Sequence, residues 1–413
     1  MKKIFALIAF LFITSFVHAQ TYVQNESVEI LWPQDGQWYA GKILKVQGDK
    51  YMVSYDGYGA EWNEVVGKDR LKKVAAETTS NGQEQTNTST TTTTTAPVNE
   101  SANAFYASVE TIWDIQLDKS GKLLVCASAY GNIKILNEGD LTLVQQIEVG
   151  KDPISCVSIS DDGMYVAAGG EQLYIYKKNS STGLYESYDT PTGYTGLAKM
   201  RFIPGTHDLI VGGAPKSDYT KSIVDVWSVD EKKVARNILP ATGSNFVCAM
   251  AVSSDGKNVA LTFSTVKHGV DIYDVATGKL TAHLVSKMDI SAVAFSPDGN
   301  FVVGGGLEQK AFVWNVSTKA LVCTALWRTS DQAYIYGVAF SPDGKSIAVC
   351  GMGSGSAVNV YDATKGTLQR GLGTDNPNGN AITYNKEGTA VLTAFTTYGD
   401  IAKVTVVEKF SAQ

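Results

Sequence analysis

The sequence predicts an all-β protein: a seven-bladed β-propeller joined by a disordered, Thr-rich linker to a small N-terminal barrel. Three observations predict it. The stretch VAFSPDG occurs at 293–299 and again at 338–344. Related turn signals mark the rest of the C-terminal part at intervals of roughly 40–50 residues, a period that means a repeat architecture. Between 76 and 100 the composition collapses into ETTSNGQEQTNTSTTTTTTAPVNE, including six threonines in a row at 90–95, which cannot fill a core.

The first residues, MKKIFALIAFLFITSFVHAQ, pair a short basic start with an apolar run and a small-residue cleavage site. Residues 1–19 read as a signal peptide, too short and too polar in its flank for a membrane span. No later segment is long and apolar enough to cross a bilayer as a helix. The expectation is an exported protein, periplasmic or extracellular. Its net charge of −6 argues against a nucleic-acid partner. Cys126, Cys156, Cys248, Cys323 and Cys350 each sit in an apolar, β-like run. An odd, scattered set is neither a disulfide framework nor a metal site; they read as small buried hydrophobes, with one disulfide as the alternative.

Residues 24–75 form the first domain. Short β-like runs at 28–31, 38–46, 50–55 and 61–66 alternate with turns at Gln47-Gly48-Asp49 and Asp56-Gly57. So small a domain hides its strand edges best by curling. The stretches DGQWYAGKI, KYMVSYDGY and EWNEVV resemble the Tudor and chromo-barrel domains of the royal superfamily, so an SH3-like barrel is expected. The resemblance implies an aromatic cage for a methylated ammonium near Trp32, Tyr39, Tyr55 and Tyr58, with Trp62 structural. Val65 departs from the pattern, where relatives often carry Trp. Aromatic faces attract a cation whose methylation makes it cheap to desolvate. The alternative is that Tyr39 and Tyr55 only pack the barrel.

Residues 101–413 form the second domain. Turns occur at 118–121, 161–163, 204–208, 254–256, 297–299, 342–344 and 386–388. Each unit places an apolar strand before the turn (SCVSIS, SAVAFS, YIYGVAFS), a second after it (MYVAAGG, FVVGGG, SIAVCG), and a third ending in an aromatic-rich run. Four strands per unit and seven units fit a propeller. The endings FVWNVSTK and IYDVATGK resemble the WD40 family. The departures are an absent GH dipeptide and a WD dipeptide mostly replaced, as by YD. The Asp-His-Ser-Trp network of many WD40 blades is therefore expected to be missing. In the turns, Gly299 and Gly344 supply positive φ while Pro297 and Pro342 fix φ at the start. Gly304 to Gly306 let neighbouring backbone approach. The last unit lacks an outer strand, which residues near 102–108 can supply to clasp the ring.

No catalytic motif is visible: no GxSxG, HExxH, calcium loop or P-loop. His207, His268 and His283 are scattered, and no cofactor or metal is expected. The sequence points to a non-enzymatic binding or scaffold protein whose partner is a protein or peptide, with a cationic or methylated group as the cage's ligand. The expected propeller face comprises Tyr130, Tyr194, Phe246, Trp327, Arg328, Tyr334 and Tyr398, because exposed aromatics and Arg anchor interfaces. Two other readings are a propeller lyase or hydrolase, which requires ionisable side chains converging in the channel, and a structural envelope component with no discrete pocket.

Overall fold

The structure, a computed structural model, describes residues 22–23, 26–31, 37–47, 50–55, 64–73, 104–108, 111–215, 217–218, 220–242, 246–264, 269–307, 309–327, 333–353, 356–373, 378–396 and 405–411. These residues fall into two units, 1–84 and 85–413. No described helix is long and apolar enough to cross a membrane. The expected signal segment and the Thr-rich linker lie outside the described residues.

The first unit is a five-stranded antiparallel sheet: β1 (Ser27–Leu31), β2 (Trp38–Gln47), β3 (Lys50–Tyr55), β4 (Glu64–Gly67) and β5 (Leu71–Lys73), in the order β4-β3-β2-β1-β5. Alternation sets the faces: Val28 and Ile30 point inward from β1, and Tyr51, Val53 and Tyr55 from β3. The outermost strands β4 and β5 are joined by a single 3-10 turn, Lys68–Arg70, so the sheet must curl to bring its edges together. Arg70 fastens that seam. Its guanidinium donates to Leu31 O at 2.7 Å and to Glu64 Oε1 at 2.6 Å. Tyr22 joins this core, its ring edge-on to Tyr51 and its hydroxyl donating to Leu71 O. The sequence reading missed β5, whose three residues carry no alternation to detect.

The second unit contains seven four-stranded antiparallel sheets among the described residues. Their innermost strands are Ile112–Leu117, Cys156–Ile159, Tyr194–Phe202, Phe246–Val252, Ile290–Phe295, Tyr334–Phe340 and Asn378–Tyr384. Each packs against the next, and the seventh against the first, so the ring is closed. The clasp is as the sequence suggests: Ala104–Ser108 pairs antiparallel with Thr405–Ser411 as the outer strand of blade seven. The core lies between blades, as in the cluster of Val303, Val313, Ile335, Val349 and Tyr361.

The repeated turns share one set of bonds. In blade five, Gly299 N donates to Ser296 O at 2.9 Å, closing a turn with Pro297 and Asp298 at its centre. Ser296 Oγ donates to Asp298 Oδ1 at 2.5 Å and accepts from Phe301 N at 2.9 Å. The same pattern serves Ser160, Ser253 and Ser341. Gly299 has φ 72°, as the turn demands. Gly305 answers a different need: a Cβ there would lie 2.6 Å from Ile335 Cγ2 of the next blade.

Candidate functional site

The innermost strands repeat a second device at their other end. In six of the seven blades the pairing of first and second strand slips by a bulge, as between Ile112 and Asp114, Val247 and Ala249, or Ile335 and Gly337. A bulge re-aims the extra residue. In blade five that residue is Ser291, whose Oγ donates to Ile335 O of blade six at 2.8 Å. In blade seven it is Asn380, whose Nδ2 donates to Ile112 O of blade one at 3.0 Å. In blades one and six it is an aromatic, Trp113 and Tyr336, and both are left exposed.

These two aromatics stand on the end of the ring opposite the Asp-Gly turns. Phe246, two residues before the bulge of blade four, is 55% exposed at the same end. So is Tyr130, 63% exposed, in the loop after the second strand of blade one; Ala129 N bonds Thr111 O there. Tyr334 is half-buried, its ring 6.4 Å from that of Tyr336. Of the residues expected on this face, Tyr130, Phe246 and Tyr334 are therefore at the surface. Tyr194 and Trp327 are corrections. Tyr194 is 4% exposed, with its hydroxyl donating to Asp225 Oδ2, and Trp327 is 2% exposed, with Nε1 donating to Met352 O. Both rings turn inward because the space between blades is filled by large apolar side chains. Arg328 and Tyr398 lie outside the described residues. Trp113 and Tyr336 were missed, since an aromatic within an innermost strand reads as core unless the bulge is recognised.

The central channel encloses a cavity of about 430 Å³, and its wall is uneven. Blades one to three contribute Asp114, Gln116, Ser158, Lys199 and Arg201, whereas blades four to six contribute Ala249, Ala251, Ala292, Ala294, Gly337 and Ala339. Arg201 is bonded to Asp114, 3.1 Å from Nη1 to Oδ2. Among the described residues neither Glu nor His lines this cavity. His207 lies at the turn end between Asp162 and Asp230, and His283 bonds Asp271; His268 lies outside the described residues.

In the first unit, Tyr55 is buried in the core, its hydroxyl donating to Glu64 Oε1 at 2.5 Å. Burial, reinforced by the carboxylate of Glu64, pushes this phenol well above its ordinary range. Tyr39 is half-buried, its ring perpendicular to that of Tyr55 at 6.2 Å. Trp38 holds a cation from the chain itself, Lys72 Nζ at 3.5 Å from its ring centre. Trp32, Tyr58 and Trp62 lie outside the described residues. All five cysteines are free thiols, three buried and two half-buried.

Comparison with known proteins now bears on the ring. Residues 275–315 and 322–362 match the family described as WD domain, G-beta repeat. The chain carries WD40 repeats. Each matched stretch begins at the end of one blade and runs through three strands of the next, so successive WD40 repeats bridge neighbouring blades. The offset explains why the ring needs Ala104–Ser108 to complete its last sheet. Relatives include WD repeat-containing protein 18 of Danio rerio, 28% identical over 24% of this chain and 22% of that protein. The human Protein NEDD1 is 23% identical over 49% of this chain and 30% of its own length. Periodic tryptophan protein 2 of Saccharomyces cerevisiae is 22% identical over 63% and 32%. The chain thus spans about a third or less of the length of these relatives.

Proposed function

We propose that this chain is an exported, non-enzymatic scaffold whose WD40 propeller binds a protein or peptide through its bulge-bearing end. The observation that carries the reading is the gathering of Trp113, Tyr336, Phe246 and Tyr130 on that one end, all exposed. Exposed aromatics of this kind are the side chains that anchor interfaces. The repeats themselves support a protein partner. Export is supported by the basic and apolar residues of segment 1–19, and the acidic charge balance speaks against nucleic acid. The binding reading is favoured over a lyase or hydrolase because Asp114, one of the two carboxylates lining the channel among the described residues, is held by Arg201 and by Val157 N.

The small barrel is proposed as a second, tethered module of the Tudor or chromo type, taking a cationic or methylated group against Tyr39. Its perpendicular contact with Tyr55 supports one corner of a cage. Two weak modules on one chain gain avidity when the linker spans their sites.

The test is capture from envelope and culture fractions by the mature protein and by two variants that keep their fold. One carries Tyr130→Ala, Phe246→Ala and Tyr336→Ala; the other carries Tyr39→Ala. Tyr55 is left alone because its truncation would open the barrel core. A partner held by the parent and lost with the triple variant supports the propeller face. Loss with Tyr39→Ala assigns recognition to the barrel, and a partner retained by both removes the proposal.

A further inference from the structure

We propose that the central channel is a binding site for a small anion, a carboxylate or phosphate, seated on Lys199. The site adjoins the aromatic face, since Trp113 and Tyr336 also line this cavity, but it rests on a different side chain. Among the described residues four charged side chains line the channel: Asp114, Asp161, Lys199 and Arg201. Two carry their own counter-charge. Arg201 grips Asp114 at 3.1 Å, and Asp161 Oδ2 lies 2.7 Å from Lys119 Nζ. A third is the partner of the first, so only Lys199 is left uncompensated. Its ammonium has no hydrogen bond or ion pair among the described residues, although the side chain is half-buried. Lys199 is thus the one channel cation with no carboxylate beside it among the described residues.

A half-buried ammonium with no carboxylate beside it can make a charge-assisted hydrogen bond to an entering anion. The walls suit such a ligand. Gln116 and Thr383 line the same cavity but direct their donors to Ile115 O and Tyr384 O, so recognition falls to the Lys199 ammonium, while the facing wall of Ala249, Ala292 and Gly337 leaves room for an apolar body. A volume of about 430 Å³ lies in the range of small-molecule sites. The chemistry admits metabolite-sized carboxylates or phosphates.

The experiment uses the full mature chain and follows thermal unfolding in sodium malonate and in sodium phosphate, each against sodium chloride of equal ionic strength. The expected result is a rise of about 2 °C or more with at least one of the two anions. That rise disappears in Lys199→Met and persists in Lys279→Met, which removes an exposed lysine at the turn after the third strand of blade four. Lys199→Gln covers the case in which Met disturbs the fold. Which anion acts distinguishes carboxylate from phosphate. An equal rise in parent and Lys199 variants, or no rise with either anion, overturns the proposal.

Discussion

Arg201 of blade three reaches past blade two to hold Asp114 of blade one at two points, Nη1 to Oδ2 at 3.1 Å and Nη2 to Oδ1 at 3.3 Å. Blade two is bound into the same bridge, since Val157 N donates to Asp114 and Val157 O accepts from Arg201. The pair therefore stitches three blades from inside the channel. Both side chains are largely buried, so removing either partner leaves a charge without its counterpart. Asp114→Asn and Arg201→Met are each expected to cost about 3 kcal/mol, and the double variant less than their sum. Equilibrium unfolding in urea checks this, and additive costs would contradict it.

His207 gives the turn end a pH dependence. Its Nε2 lies 2.9 Å from Asp162 Oδ2 and its Nδ1 2.9 Å from Asp230 Oδ2. Only the imidazolium can donate to both. Partial burial opposes the charge, but the two carboxylate bonds outweigh it and raise His207 above its ordinary value. For Asp162, burial acts upward, yet bonds from Ser160, His207 and Met164 N hold its carboxyl below the usual range. The histidine's contribution is therefore complete below about pH 6.5 and fades as the pH rises through its raised folded value. The aspartate's contribution fades only as the pH falls through its lowered one. The melting-temperature gap between parent and His207→Gln should be widest at about pH 5 and close by about pH 9. These groups are partly exposed, so the effect is below about 1 kcal/mol. A gap that stays constant across this range would contradict the bridge.

The blade turns rest on one hydroxyl. Ser296→Ala leaves Phe301 N without its side-chain acceptor and takes one donor from Asp298, which keeps those of Asn300. A loss of about 1–2 kcal/mol is expected. Gly299→Ala should cost about as much, because φ is 72° there. Urea midpoints of the two variants test both values.

Closure of the ring depends on Ala104–Ser108, held by pairs such as Tyr106 with Val407. Deleting the residues from the linker through Ser108 should lower the melting temperature and speed hydrogen exchange in Thr405–Ser411. Unchanged protection of that strand would show that blade seven does not need its clasp.

Much of this was legible because turn chemistry is local. Ser296, Asp298 and Gly299 announce their turn wherever they occur, and repetition counts the blades. The closing strand was legible because the last unit ends one strand short. The direction of an isolated aromatic was not. Tyr194 and Trp327 stand beside loops in the sequence, yet their rings fill gaps between blades. Asp114 and Arg201 are 87 residues apart, and no local pattern joins them. A signal was nevertheless present. The inner strands of blades four to six alternate alanine and glycine with larger residues, whereas WDIQL and AKMRF place charge at the corresponding positions. Charge on a strand that should be innermost marks the channel.

The claim that the bulge-bearing end of the propeller is the recognition surface is tested most directly by site-specific photo-cross-linking. A photoreactive side chain would be placed in turn at Phe246, at Tyr130, and at Lys345 on the opposite turn end, followed by capture from envelope and culture fractions. The account predicts one common protein cross-linked from Phe246 and Tyr130 and not from Lys345. The same partner cross-linked from Lys345, with none from the other two positions, would contradict it.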